Sequence, residues 1–296
     1  MSFARHLILG FLPLFGFAVC LLGQSDSGLV IKVNSRLVEV YASVYDSKGH
    51  YVDQLRRPNF QVIENGKPQL IRDFEDNVQS LSCAILLDST GSMADVLPNV
   101  KNSIVQLIDQ LTPQDSVALY TFDQSMSVRQ DFTTNKAAAK RSVLRVRAGG
   151  RTALFDSLSE AGQELSRRPG KKVLILFTDG DDNSSMLNAT AAITRAERLG
   201  IPLYAVAEGE ATRSKRLRKI LDDLSERTGG SSYVIRKASD ITDVFQSIAR
   251  DIRHMYLLTY DPPLEPADGK WREIQVAVNG GEHYRVRAKQ GYFPGW

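Results

Sequence analysis

Apolar residues run along this chain in two rhythms. From residue 37 to 45 they alternate. Val38, Val40, Ala42 and Val44 point one way; Glu39, Tyr41, Ser43 and Tyr45 point the other. That is the pattern of a strand with one face buried. Asp46-Ser47-Lys48-Gly49 reads as a turn, and residues 59–63 as a second strand. Glu64-Asn65-Gly66-Lys67 is a hairpin turn, because Asn and Gly tolerate positive φ. Residues 71–74 close a small antiparallel β module within 30–80.

From about residue 81 continuous apolar runs alternate with helical stripes. Residues 83–87, 117–122, 173–177, 203–207 and 232–235 read as strands, and 127–132 as an edge strand. The run Val173-Leu174-Ile175-Leu176-Phe177 is the most continuous and predicts a central strand covered on both faces. Between the runs, Val100, Ile104, Leu107, Ile108 and Leu111 share one helix face, and Leu154, Leu158, Ala161 and Leu165 another. Residues 136–146 form a basic surface helix. Residues 190–199 and 215–228 are further helices. Ile241, Val244, Phe245, Ile248 and Ile252 mark the last. Such alternation of β and α units implies an α/β fold with a doubly wound, mostly parallel sheet. The tail returns to β: 256–260 is a strand, 273–278 alternates, Asn279-Gly280-Gly281 turns, and 284–288 alternates back. The β segments of the two chain ends are expected to pack together and flank the α/β domain. The expected division is 1–25, 26–80, 81–255 and 256–296.

Composition adds a boundary at the N-terminus and little else. Residues 7–22 are almost wholly apolar, preceded by Arg5 and His6 and followed by the small residues of Gly23-Gln24-Ser25. This reads as a secretory signal peptide cleaved after Ser25. A retained anchor is the alternative, and lipid attachment at Cys20 a third, disfavoured by Val19 before it. The expected location is therefore outside the cytoplasm, periplasmic or extracellular, with membrane contact only if the segment is retained or lipidated. Cleavage would leave Cys83 as the one cysteine, within an apolar run that suits core filling better than reactivity. The remainder, 43% hydrophobic and 24% charged with a net charge of +3, is ordinary globular composition and makes no case for nucleic acid.

Chemistry gathers at the ends of the apolar runs. Ala84-Ile85-Leu86-Leu87 is too short to span a membrane and ends in Asp88-Ser89-Thr90-Gly91-Ser92. In a parallel α/β sheet, ligands bind where a strand stops and a helix is about to begin. Asp, Thr and Ser offer only oxygen, which suits a hard cation such as Mg²⁺ rather than zinc or copper. Two later loops add candidates. Gly149-Gly150-Arg151-Thr152 stands before a helix, where Thr152 could serve merely as an N-cap. Thr178-Asp179-Gly180-Asp181-Asp182 follows the central run and could be an acidic turn.

Taken together, Asp88, Thr90 and Ser92, then Thr152, then Asp179 in a Thr-Asp-Gly turn resemble the metal-ion-dependent adhesion site of the von Willebrand factor A (VWA) domain family. Its pattern is Asp-x-Ser-x-Ser, a Thr, and an Asp. The resemblance covers residues 80–255. It departs at Thr90, where the family usually has Ser; the hydroxyl is kept and a methyl added. More loosely, the flanking β segments and the tail Lys289-Gln290-Gly291-Tyr292-Phe293 are similar to bacterial exported proteins with a VWA-related domain. The resemblance implies a Rossmann-like fold. It further implies direct ligation by Thr90 and Ser92, joined by Thr152 in a ligand-competent state, and Asp88 and Asp179 holding metal-bound waters. The implied ion is Mg²⁺, with Mn²⁺ or Ca²⁺ as alternatives. The implied partner is a protein presenting an Asp or Glu carboxylate. In some relatives the last helix moves on ligand engagement; here that would be residues 241–252.

Three functions compete. The first is an exported, metal-dependent protein-interaction or adhesion module. The second is a structural protein of envelope assembly with no metal-dependent binding. The third is a Mg²⁺-dependent hydrolase, which the residues disfavour. Asp88-Ser89-Thr90 lacks a second acid two positions on, and His6, His50, His254 and His283 all lie outside the three loops, so no general base is evident. The reading is therefore a non-enzyme with no catalytic residues. The basic run Arg213, Lys215, Arg216, Arg218, Lys219 reads as a solvated helix face. Asp181 and Asp182 read as a polar rim, Arg151 as a cation of undetermined direction, and the Asn183 and Asn188 sequons as chance matches.

Overall fold

A computed structural model describes residues 37–76, 80–237, 240–263, 268–280 and 283–294, the side chain of Glu210 aside. The signal-peptide and lipidation readings fall outside the described residues.

In chain order the elements begin with four strands: β1 (Val38–Tyr45), β2 (Phe60–Glu64), β3 (Lys67–Gln69) and β4 (Ile71–Glu75). Next come β5 (Leu81–Asp88), α1 (Leu97–Gln110), β6 (Ser116–Phe122), β7 (Met126–Thr133), α2 (Lys136–Arg145) and α3 (Leu154–Ser166). Then follow β8 (Lys171–Thr178), α4 (Ala189–Leu199), β9 (Leu203–Ala207), α5 (Lys215–Thr228), β10 (Ser231–Val234) and α6 (Asp240–Arg253). The last strands are β11 (Met255–Tyr260), β12 (Arg272–Val278), β13 (Arg285–Ala288) and β14 (Gly291–Tyr292).

Six strands form the central sheet in the order β10-β9-β8-β5-β6-β7. All pairs are parallel except β6 with the edge strand β7. Strands β5 and β8 are buried at every position, as continuous apolar runs covered on both faces must be. Alternate residues serve opposite cores. Cys83, Ile85 and Leu87 of β5 join Val173, Ile175 and Phe177 of β8 against α1, α2 and α6. Ala84 and Leu86 join Leu174 and Leu176 against α3, α4 and α5. Phe177 stacks on Phe245 of α6 with ring centroids 4.8 Å apart. Cys83 is fully buried, and burial pushes its thiol up to about 12, as expected of core filler.

The flanking β module draws on both chain ends, in two four-stranded sheets: β13-β1-β11-β4 and β14-β12-β2-β3. The sheets share one core, containing Val38, Val40, Phe60, Val62, Tyr256, Leu258 and Ile274. The Asn65-Gly66 turn forms as expected between β2 and β3, with φ of 46° and 77°. Two details differ from the sequence reading. Strand β1 is buried on both faces, because Tyr41 enters the core beneath the central sheet and Tyr45 reaches Asp251 of α6 at 2.9 Å. Its second face meets another layer of protein, not solvent. Strands β12 and β13 do not form a hairpin with each other: β12 lies between β14 and β2, while β13 pairs with β1. Among the described residues no helix is long and apolar enough to cross a membrane.

Candidate metal centre

Strands β5 and β8 lie side by side, with Leu87 paired to Phe177. After β5 the chain crosses to β6 on one side; after β8 it crosses to β9 on the other. The loops beyond Asp88 and Thr178 therefore part over the sheet edge, where α/β folds place ligands.

Asp88 is fully buried at the end of β5. Its Oδ1 accepts from the Thr90 backbone N–H at 3.0 Å and the Thr90 hydroxyl at 2.7 Å, and its Oδ2 from the Thr178 hydroxyl at 2.9 Å. The chain then makes a 3₁₀ turn, Gly91–Ala94, in which Met93 is buried and Ser92 exposed. Burying the Met93 side chain in the core below turns the neighbouring Ser92 outward. The Ser92 hydroxyl donates to Asp179 Oδ1 at 2.9 Å and lies 3.1 Å from Thr90 Oγ1. One run of polar contacts thus links Thr178, Asp88, Thr90, Ser92 and Asp179 across two strand ends. The extra methyl of Thr90 does not turn its hydroxyl away from this group.

Each hydroxyl has one proton, and bonds to a carboxylate are the stronger use of it. With the Thr90 proton on Asp88 and the Ser92 proton on Asp179, two hydroxyl oxygens face one another at 3.1 Å through lone pairs. A cation is what such an arrangement suits, and the donors are all oxygen, as a hard cation requires. Burial pushes the Asp88 carboxyl up to about 6, against the hydrogen bonds from Thr90 and Thr178; the charge of Asp179 adds to the rise.

Thr152 is buried and its backbone is stitched to the loop beyond Asp179. Its N–H donates to Asn183 Oδ1 at 3.1 Å, and its carbonyl accepts from the N–H groups of Asn183 and Ser184. Its loop also touches the first one: the Gly149 N–H donates to the Ser89 carbonyl at 2.7 Å. Among the described residues the Thr152 hydroxyl is outside the Asp88–Asp179 hydrogen-bond run. Nor is Thr152 the N-cap of α3. That position is Ala153, which has no capping side chain. Asp182 Oδ2 takes the Phe155 N–H at 2.9 Å and Ser185 Oγ takes the Asp156 N–H at 3.0 Å.

This chain matches the von Willebrand factor type A domain over residues 83–247, more than half its length. It belongs to that family. A protein described as uncharacterized, sll0103 of Synechocystis sp., is 30% identical over 115 residues, 37% of this chain and 27% of that one. A UPF0353 protein of Mycobacterium marinum is 23% identical over 198 residues, 57% of this chain and 59% of that one. The chain thus spans less than two thirds of either relative. A von Willebrand factor type A structure from Catenulispora acidiphila aligns with a TM-score of 0.52 over 88% of this chain and 75% of that one. At 17% identity that likeness is one of fold.

Several contacts around the VWA site went unread in the sequence. Ser89 donates from both its N–H and its hydroxyl to the Phe122 carbonyl, tying β5 to the end of β6. Gly150, at φ 92°, is needed because a Cβ there would stand 2.6 Å from Asp123 Cβ. Asp181 pairs with Arg216 at 3.5 Å, so one member of the basic run is engaged beside the site. None had a signal in composition or spacing, since each acts through a partner distant in sequence.

Proposed function

We propose that this protein is a metal-dependent protein-interaction module. Asp88, Thr90, Ser92, Thr152 and Asp179 would hold one divalent cation, Mg²⁺ by donor chemistry, and a protein partner would supply a carboxylate to it. The observation that carries this reading is the pair of hydroxyl oxygens, Thr90 and Ser92, 3.1 Å apart with both protons drawn to flanking carboxylates. A bound hard cation keeps some of its water and acts as an acceptor site for an acidic group. Ser92 is the solvent-exposed member of the set, so the approach for a partner is from its side. We assign no catalytic residue. The described histidines, His50, His254 and His283, lie outside the three loops, and His50 and His254 contact Asp46 and Asp53 in the β module.

In the same proposal, residues 1–25 direct export and 81–255 carry the binding site. Segments 26–80 and 256–296 form the platform beneath it. The protein then acts in the periplasm or outside the cell. Affinity capture from native envelope extract tests this, comparing wild type, wild type with EDTA, and Asp179→Ala. Capture of a protein by wild type alone is expected. The same captured set in all three arms rejects metal-dependent binding and favours the structural, envelope-assembly alternative.

A further inference from the structure

Residues 136–151 carry Lys136, Lys140, Arg141, Arg145, Arg147 and Arg151 and no Asp or Glu. The two lysines are engaged. Lys136 donates to the Asp115 carbonyl, and Lys140 pairs with Asp109 of α1 at 2.6 Å. The four arginines are exposed and enter no ion pair among the described residues. Two contacts place them beside the proposed cation site. Lys101, in the second turn of α1, donates to the Leu144 carbonyl at 3.2 Å, whereas Asp109 at the far end of α1 holds Lys140. Helix α2 therefore runs towards the start of α1, which follows closely on the Ser92 turn. The chain leaving α2 then reaches the site itself: the Gly149 N–H donates to the Ser89 carbonyl, and Arg151 directly precedes Thr152. Over the span from Arg145 to Arg151 the chain can separate the two Cα atoms by about 20 Å at most.

Like charges side by side repel, and a partner bearing carboxylates relieves that repulsion. Asp123, which lies against Gly150, is occupied by the N–H groups of Gln124 and Ser125. Arginine suits an acidic partner better than lysine does, because its planar fork takes a carboxylate through two parallel N–H bonds. Leu144, 56% exposed between Arg141 and Arg145 in the chain, adds an apolar contact of the kind protein interfaces use. No aromatic residue occurs in 136–151 for bases to stack on, which disfavours a single-stranded nucleic acid. We propose that the segment from Arg141 to Arg151 is a docking ridge for an acidic stretch of the partner protein. One carboxylate of that stretch completes the cation's shell, and those that follow pair with Arg151, Arg147 and Arg145. An extended segment of about six residues covers this path at roughly 3.3 Å per residue. This rests on the reading given under the proposed function and names the partner's chemistry beyond its first carboxylate.

Fluorescence anisotropy of the full chain in Mg²⁺ with two labelled, amidated peptides tests this: hexaglutamate, and a hexapeptide of glycines with a single glutamate. The proteins compared are wild type, Arg145→Gln/Arg147→Gln, Asp179→Ala, and Lys48→Gln/Lys67→Gln as a control that removes exposed charge from the β module. Wild type and the lysine control are expected to bind hexaglutamate about fivefold or more tightly than the single-glutamate peptide, the sum of a few exposed ion pairs. The arginine variant is expected to lose that preference while binding the single-glutamate peptide as wild type does. Equal binding of the two peptides by wild type, or an undiminished preference in the arginine variant, overturns the ridge; if binding still requires Mg²⁺ and Asp179, the proposed function stands. Equal loss of both peptides in the arginine variant also overturns it, because the damage is then to the site or the fold. A hexathymidylate bound more tightly than hexaglutamate, and released by the arginine variant, assigns the ridge to nucleic acid and overturns it. Hexaglutamate binding that survives both EDTA and Asp179→Ala overturns the ridge and the proposed function together.

Discussion

Lys289 lies buried beside the C-terminal end of α4, so close that a Cβ on Gly200 would meet its Nζ at 2.8 Å. Its Nζ stands 5.7 Å from the centre of the Tyr292 ring. Burial holds the ammonium down to about 8, with Glu39 pulling weakly the other way. Unfolded, the group titrates near its ordinary value of about 10.4. Between pH 8 and that value the unfolded chain binds a proton that the folded chain has shed, so stability rises with pH across the window. Below about pH 8 the full penalty is present. Lys289→Met should therefore be more stable than wild type at pH 7, on the order of 1–3 kcal/mol. The advantage should fade as pH approaches 10.5. Urea denaturation of both proteins at pH 7, 9 and 10.5 measures it; an advantage independent of pH would assign the effect to packing instead. A lysine near the tail carries no sequence signal of burial, whereas Cys83 inside an apolar run did.

Among the elements, α3 shows how far a local reading reaches. The stripe Leu154, Leu158, Ala161, Leu165 is buried as its spacing requires. Its start is organised from elsewhere, by Asp182, whose Oδ1 also accepts from the Ser185 N–H at 3.0 Å and whose Oδ2 takes the Ser185 hydroxyl at 2.5 Å. Asp156 of α3 returns the favour, accepting the N–H groups of Met186 and Leu187 at 2.8 and 3.0 Å. Helix and loop thus cap each other. Replacing Asp182 by Ala should cost about 1–2 kcal/mol, the size of a lost cap. It should also speed amide exchange at Phe155 and Ser185. Exchange at those two amides equal to wild type would remove Asp182 from this role. Asp181 and Asp182 read from the sequence as a polar rim, whereas Asp182 accepts the Phe155 N–H and so depends on a partner far away in sequence. The same limit explains β12 and β13. Both alternate, and a turn separates them, yet alternation does not name a partner strand.

At the scale of the whole molecule, residues 35–296 are one compact unit, and an ion pair with a buried carboxylate joins the β module to the central layer. Asp251 of α6 is buried; it accepts from the hydroxyls of Tyr45 and Tyr51, both at 2.9 Å, and pairs with Arg287 of β13. Arg287 also donates to Ser231 Oγ at 2.6 Å, and the surrounding negative charge holds its guanidinium above its ordinary value despite burial. Arg287→Ala would strand a buried carboxylate and should cost about 3–5 kcal/mol. Because the layers share contacts, unfolding of wild type should follow one transition. Far-UV circular dichroism and tryptophan fluorescence should coincide in urea, the latter reporting from Trp271 and Trp296, both within 256–296. Two separated transitions would show that the layers unfold independently. What the sequence by itself determined is what the backbone repeats locally: the period of each strand and helix, the order β-α-β that dictates a parallel sheet, and the oxygen-rich residues at the ends of its central strands. What only the tertiary structure decided is which surface covers which. The outer face of β1 meets the α/β layer, Asp182 caps a helix that begins 28 residues earlier (at Leu154), and the segment leaving β9 binds back on the Thr178 and Asp179 carbonyls. Periodicity is a property of neighbours along the chain, while burial and pairing depend on residues that only folding brings together.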